Sequence, residues 1–506
     1  MERWVKLLND KRFSELLGRP KSAGPETELP FENKQFRLPA ERDHDRILFS
    51  TPLRRMGDKT QVFPLESIES IRTRLTHSYE VANLARSLGV ELVYLLGKEL
   101  PKDAIRIIPS MLAAAGLAHD IGNPPFGHQG ENAIKSWFKR NEGFLFEASS
   151  DGDGEINEDI KKLTKQHKND FLLFEGNAQT LRVLTKLQVI GDDLGLNLSV
   201  GTLASLMKYV SASDKIDKTI QARKKVGFFA TEQSLVETIR KEVGLEGDSR
   251  HPLALVMEAC DDIAYSVLDA EDSIKKGLVS FNDLTAHLKH QIDSGSNNDP
   301  VIKHVYDKSQ HEHNKFFEQN LDPNELNDVS TQKFRVHAIH VMVSAIAHTF
   351  KEKYEEIISG KFIGELIEHS YAAKLWETLK DFDKKNAFDH NAVIEIELNG
   401  YNTINCLMDY LWIGISNRKK YSDIESERTS PFARYVYSKI SRNYRRVFEG
   451  KIKSYHRDQQ IPIRYREMQL LTDMVSGMTD RFCIELHNDF EKHYKEMQSI
   501  DKNLLF

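Results

Sequence analysis

Cysteine is scarce in this chain. Cys260, Cys406 and Cys483 are three thiols far apart in 506 residues, and none forms a CxxC pair; this excludes a disulfide framework and fits a reducing compartment. Long apolar runs are missing too. The N-terminal "MERWVKLLNDKRFSELLGRP" scatters charges between its apolar residues, and no run approaches the roughly 18 residues needed to span a bilayer, so no membrane partner and a cytoplasmic location are expected. Charge of one sign is not in excess either: 70 Lys and Arg against 76 Asp and Glu leave a net charge of -6, which argues against a wholesale nucleic-acid coat and leaves basic patches to be read locally. Internal repeats with periods of about 20 to 50 residues are absent. The acidic "DGDGE" lacks the glycine and closing glutamate of a calcium loop and reads as solvated linker.

What is present is helical spacing. Leu, Ile, Ala and charged residues recur at that period through most of the chain, and alternating stretches are few, so the expected fold is mostly α. One small hairpin is allowed at residues 391 to 404, "NAVIEIELNGYNTI", where the alternation of "VIEIEL" runs into Asn399-Gly400. Loops or insertions are expected at 20 to 30, 148 to 159 and 293 to 300. The length suits an N-terminal extension over 1–50, a core with insertions over 51–280 and a helical C-terminal region over 281–506.

Chemistry concentrates in "LAHDIGNPPFGHQGE", residues 117 to 131. Asn123-Pro124-Pro125 removes two backbone donors, so the helix carrying "MLAAAGLAHD" must end near Gly122, leaving His119 and Asp120 at a helix end. The small residues before them imply close packing and burial, and a buried Asp120 needs a cation or several donors. The other His-Asp pair, His44-Asp45, lies in the all-polar "ERDHDR" and reads as a solvated turn. His77 falls in the first turn of the amphipathic helix marked by Val81, Leu84, Leu88, Leu92 and Leu95, after a Thr76 cap; a helix N-terminus favours neutral imidazole, the form a metal binds.

In "LALVMEACDDIAYSVLDAEDSIKKG" the apolar face is Val256, Ile263, Val267 and Ile274, while Asp261, Tyr265 and Asp269 form a polar stripe at i, i+4 and i+8 that a solvated surface would also explain. Two histidines and two carboxylates suit a divalent ion of borderline hardness such as manganese, iron, cobalt or nickel, with magnesium also allowed; zinc is less distinctive without thiolates.

The motifs "RTRLTHSYEV", "HDIGNPPFGHQGE", "FEGNAQT", "EACDDIAY" and "SGMTD" occur in the order seen in the HD-domain superfamily, and the chain resembles its bacterial deoxyguanosine triphosphate triphosphohydrolases from about residue 51 to 480. The resemblance implies an HD-type helical core elaborated by additional helices, and the metal ligands His77, His119, Asp120 and Asp261; spacing alone does not choose between Asp261 and Asp262. It implies one divalent metal, Mn or Mg first, with Fe, Co or Ni as alternatives.

It further implies that Tyr265 faces substrate, that Asp269 accepts the sugar 3′-hydroxyl and that Gln61 reads the deoxyribose. Asn177, Lys208 and Lys225 match a polar pocket position and two phosphate contacts. His128 and Glu131, three residues apart after the Pro-Pro break, form a catalytic pair in which His128 donates a proton to the leaving 5′-oxygen or, in the opposite assignment, activates the nucleophile. Arg72 and Arg74 add positive field or pair with acids on neighbouring helices.

The implied reaction is hydrolysis of dGTP, or other dNTPs, to deoxynucleoside and tripolyphosphate, a control on deoxynucleotide pools. The implied assembly is a homo-oligomer, commonly a hexamer, with "ELNGY" at 397 to 401 and the basic C-terminal segment as candidates for communication between subunits. Single-stranded DNA is a regulatory partner in this reading. The alternatives are an HD phosphodiesterase or nucleotidase, and a nucleic-acid-binding helical scaffold with an inert metal site, suggested by the Arg, Lys, Tyr and Phe of residues 441 to 457, "SRNYRRVFEGKIKSYHR".

Overall fold

The computed structural model describes residues 1–18, 36–63, 68–148, 154–188, 194–294, 299–450 and 461–503. Among these the chain is mostly helical, with four isolated β-bridges and no strand. The loop expected at 20 to 30 lies outside the described residues, as do parts of those at 148 to 159 and 293 to 300; the second half of the acidic segment is a short helix, Gly154–Ile160.

At the N-terminus α1 (Glu2–Leu7) buries Trp4 and Leu7, and the Leu7 carbonyl lies 3.1 Å from His251 Nε2. In α2 (Pro39–Leu48) the "ERDHDR" segment is helix, which corrects the solvated turn: its Asp43 is fully buried, pairs with Arg12 and accepts from Ser199 N at 2.9 Å, while Asp45 on the outer face pairs with Arg37. A capped, amphipathic segment with one buried acid satisfied by three donors is better served by a helix than by a loop.

Two helices form the frame of the site. α3 (Arg74–Leu96) starts from Thr73, whose hydroxyl accepts from Thr76 N while Thr76 Oγ1 accepts from Thr73 N at 2.9 Å. The cap is therefore Thr73, and Thr76 closes the box instead of capping. α4 (Ala104–Ala118) packs antiparallel on it through its small residues: a Cβ on Gly116 would lie 2.7 Å from the Ala82 Cα, so only glycine permits this approach. α4 ends at Ala118, as the Asn-Pro-Pro break requires, and α5 (Gly127–Arg140) restarts beyond it.

The short α6 (Gly176–Arg182) crosses the HD turn, where Thr180 Oγ1 accepts from Gly122 N at 2.9 Å. α7 (Pro252–Lys275) is the central helix, packed by α3 and α4 and by the longer α8 (Pro323–Glu352) and α9 (Ala373–Asp383). Its burial nearly all round explains why its polar residues cannot be a solvated stripe: Asp269 is fully buried.

The hairpin expected at 391 to 404 is not formed. These residues begin α10 (Asn391–Ser416), one continuous helix. The alternation of "VIEIEL" is overridden by the longer period of Ile404, Leu407, Met408, Leu411 and Ile415, all buried against α5, α11 (Ile463–Ser476) and α12 (Asp480–Asn503). Gly400 is there for contact, not for turning: a Cβ on it would fall 2.5 Å from the Phe126 ring. One apolar core runs from Trp4 to Phe490, and no helix among the described residues is long and apolar enough to cross a membrane.

Candidate metal centre and active site

The first turn of α3, the end of α4 and the middle of α7 bring four side chains to one point. His77 Nε2 lies 3.1 Å and His119 Nε2 3.3 Å from the same oxygen, Asp261 Oδ1, and Asp120 Oδ1 is 3.6 Å from His119 Nε2. His77, His119 and Asp120 each offer a ligand atom within 4.8 Å of the others. His119 Nδ1 donates to the Gly116 carbonyl at 2.7 Å, which fixes the tautomer and leaves Nε2 as a lone pair aimed into the centre. That Nε2 is buried with no hydrogen-bond partner. A buried orphan nitrogen among carboxylates is what a cation would satisfy, so the donor set fits one divalent metal.

The electrostatics agree. Burial opposes a charge on His119, yet the Asp120 and Asp261 carboxylates raise its pKa to about 9, while the His119 charge, overcoming the effect of burial, holds Asp261 well below the usual carboxylate range. The two carboxylates make the site attractive to positive charge.

Asp120 is oriented from outside the centre. Arg74 pairs with Oδ2 and Asn123 Nδ2 donates to Oδ1 at 2.6 Å. Arg72 pairs with Glu80, Glu271 and Asp272, so both arginines are committed to neighbouring acids. Lys208 stands 3.6 Å from Glu258 and 3.9 Å from Asp261; burial works against its charge, but Glu258 foremost among its neighbours keeps the ammonium well above its normal pKa. Asp262, the alternative to Asp261, makes neither histidine contact and has a buried, unpartnered oxygen.

A second cluster lies on α5 and α6. Glu131 Oε1 accepts from Gly176 N at 2.9 Å, and Glu175 takes Asn177 Nδ2 at 2.9 Å and Lys225 Nζ at 3.3 Å. His128 Nδ1 is 3.9 Å from Glu131 Oε2, an ion-pair separation too long for a hydrogen bond, and the His128 side chain is 78% exposed. Burial opposes ionisation of Glu131, but His128, Lys135 and Lys225 bring its pKa down to about 2, so it is the fixed anion of this cluster. No contact joins His128 to the His77–His119–Asp261 set among the described residues. The "ELNGY" segment lies on α10 against α5 within the same chain: Gln129 Nε2 donates to Glu397 at 3.3 Å and the Tyr401 hydroxyl to Ser136 at 2.6 Å.

Tyr265 stacks on Phe388 with centroids 5.7 Å apart, Asp269 lies one turn further along α7, and the Gln61 Oε1 is buried without a partner. In the basic segment, Tyr444 and Phe448 are buried in the core, which removes them as base-stacking residues; 451 to 457 lie outside the described residues.

Sequence reasoning missed what holds the loops. Asp480 of "SGMTD" accepts from Phe126 N at 3.1 Å, Thr60 N at 2.9 Å and the Thr60 hydroxyl, while Lys59 Nζ donates to the Asn123 and Ser476 carbonyls at 2.6 Å each. Burial and then Arg74 lower Lys59 to about 7. The knot pins the Gln61 loop and the turn before His128 to the start of α12. Phe126, at φ 59, is held left-handed by it, a conformation that a non-glycine residue keeps only when its surroundings insist. Asp480→Ala leaves three donors unsatisfied, and urea denaturation should show a loss of about 3–5 kcal/mol; an unchanged midpoint would mean that the knot does not stabilise the fold.

Comparison with known proteins matches the part of the chain that carries the HD motif. The HD domain family model matches residues 74–190, the span that contains His77, His119 and Asp120. A "Deoxyguanosinetriphosphate triphosphohydrolase-like protein" of Listeria monocytogenes is 34% identical over 96% of this chain and 98% of its own length. A protein of the same description from Pseudomonas aeruginosa is 32% identical over 88% of this chain and 91% of its own, and a "Deoxyguanosinetriphosphate triphosphohydrolase" of Serratia proteamaculans is 30% identical over 88% and 92%. With a candidate metal centre built from the HD motif and this similarity along most of its length, the chain belongs to the deoxyguanosinetriphosphate triphosphohydrolase-like branch of the HD-domain superfamily.

Proposed function

We propose that this protein hydrolyses dGTP, and other dNTPs to a lesser degree, at the bond between the 5′-oxygen and the α-phosphorus, releasing deoxynucleoside and tripolyphosphate. The observation that carries the reading is the convergence of His77, His119, Asp120 and Asp261 on one buried point, with the mostly buried cation of Lys208 beside it.

His77, His119, Asp120 and Asp261 would hold one divalent ion, Mn or Mg, which would supply Lewis-acid polarisation of the phosphate and activation of water. Lys208 supplies a fixed positive charge to the triphosphate, and Lys225, tied to Glu175, adds a second on the other cluster. The alkoxide leaving group needs a proton. His128, beside the Glu131 carboxylate, delivers it to the 5′-oxygen. Its exposure is compatible with a residue that closes on the substrate only when the triphosphate is seated, since catalytic contacts are often long without substrate. Tyr265 borders the sugar, Asp269 takes the 3′-hydroxyl and Gln61 satisfies its orphan oxygen on the same ligand.

The test is product analysis. Metal-supplied protein is incubated with each of the four dNTPs and with GTP, and nucleoside, monophosphate and polyphosphate are resolved by chromatography. Deoxyguanosine with tripolyphosphate as the main products is expected; monophosphate with pyrophosphate would overturn the bond assignment, and no turnover with any metal would overturn the activity.

A further inference from the structure

Asp383, the last residue of α9, is fully buried, and neither of its carboxylate oxygens has a hydrogen-bond partner. Asp269 on α7 is in the same condition. A buried carboxyl without a partner destabilises a fold, so two of them in one place call for a ligand. They lie on helices that pack against each other, α7 and α9, and the charges of both, after burial, push the Tyr265 hydroxyl up.

The surrounding chain confirms the convergence. Beyond Asp383 the helix widens into a π-turn, Lys384–Phe388, which brings Phe388 onto the Tyr265 ring at 5.7 Å. Phe388 also packs against the cluster of Val62, Phe63, Ile71 and Val393, and Val62 and Phe63 directly follow Gln61. The end of α9, the Tyr265–Asp269 turn of α7 and the Gln61 loop are therefore neighbours, and each carries a side chain with an unsatisfied buried oxygen: Asp383, Asp269 and Gln61.

We propose that Asp383 is a specificity-determining residue that holds the sugar 3′-hydroxyl together with Asp269, one carboxylate accepting the hydroxyl hydrogen and the Asp383 acid donating its own to the hydroxyl oxygen. A hydroxyl both donates and accepts, and a carboxyl pair that keeps one proton matches both capacities, whereas two ionised carboxylates would match only one. Burial holds both carboxyls well above the carboxylate range, but the Arg72 and Arg74 charges favour the ionised form of Asp269, which leaves Asp383 as the donor of the pair. The inference rests on the triphosphohydrolase reading, since it needs a nucleotide sugar in this space.

The experiment compares dGTP with 2′,3′-dideoxy-GTP on the full-length, metal-supplied wild type and on Asp383→Ala and Asp383→Asn. Alanine removes the donor; asparagine replaces it with an amide N–H. For Asp383→Ala, KM for dGTP should rise at least tenfold with kcat within threefold, while kcat/KM for the dideoxy substrate stays near wild type, so that discrimination between the two collapses. Asp383→Asn should recover most of the loss, and thermal melting of both variants should not fall below wild type, because an orphan carboxyl has been removed. Equal losses on both substrates with a large drop in melting temperature would show a structural role and overturn the proposal, as would an unchanged KM in Asp383→Ala or no recovery in Asp383→Asn. Failure of the wild type to release tripolyphosphate would instead overturn the triphosphohydrolase reading, an outcome distinct from any result on the variants.

Discussion

His119→Ala is expected to abolish metal binding and to lower turnover by on the order of 10⁴-fold or more, because the substitution removes the nitrogen on which the donor set converges. His119 Nε2 is buried between Asp261 Oδ1 at 3.3 Å and Asp120 Oδ1 at 3.6 Å, so its loss leaves two carboxylates without the nitrogen they face. Three measurements separate this from simple misfolding. Metal analysis after dialysis should give stoichiometric binding for the wild type and only traces for the variant. Added Mn should raise the melting temperature of the wild type alone, by the linkage that gives about 2.7 kcal/mol at a hundred times the dissociation constant. The helical circular dichroism should be retained, since Arg74 still neutralises Asp120. A variant that holds metal as tightly as the wild type would remove His119 from the centre.

His128→Ala should act by a different route. The side chain is 78% exposed and makes no hydrogen bond, so the stability change should stay within about 0.5 kcal/mol. Metal content should be unaltered. Yet kcat should fall by roughly 10²–10⁴-fold, the usual contribution of a positioned proton donor, with KM within a few-fold of wild type. Glu131→Gln is the companion: it keeps a carbonyl oxygen for Gly176 N while discharging the anion beside His128, so a fall in kcat there points to the charge and not the shape. Near-normal turnover of His128→Ala would reject the acid role outright.

The contrast between these two sites also measures how far the sequence could be read. His119 and Asp120 are legible because a proline break fixes where a helix must stop, and His77 because a threonine marks where one starts, although the cap is Thr73 and not the expected Thr76. Those signals are local. The choice of Asp261 over Asp262 came from resemblance, since spacing does not separate them; in the structure it is Asp261 that lies against the two histidines. The hairpin at 391 to 404 failed for the converse reason: a six-residue alternation and an Asn-Gly pair are local signals too, but the buried residues that govern α10 lie further along, and the role of Gly400 is to admit the Phe126 ring. Asp383 lies outside every motif and is visible only once its oxygens are seen to lack partners. Asp480 sits within a recognised motif, but its work is done on residues more than 350 positions away.

That last separation reaches beyond the folded state. Thr60 and Asp480 are 420 residues apart, so during synthesis on the ribosome the four residues of the candidate centre are all made before the residue that locks the turn leading to His128. That turn takes its final hold only after residue 480 is made, 219 residues beyond Asp261.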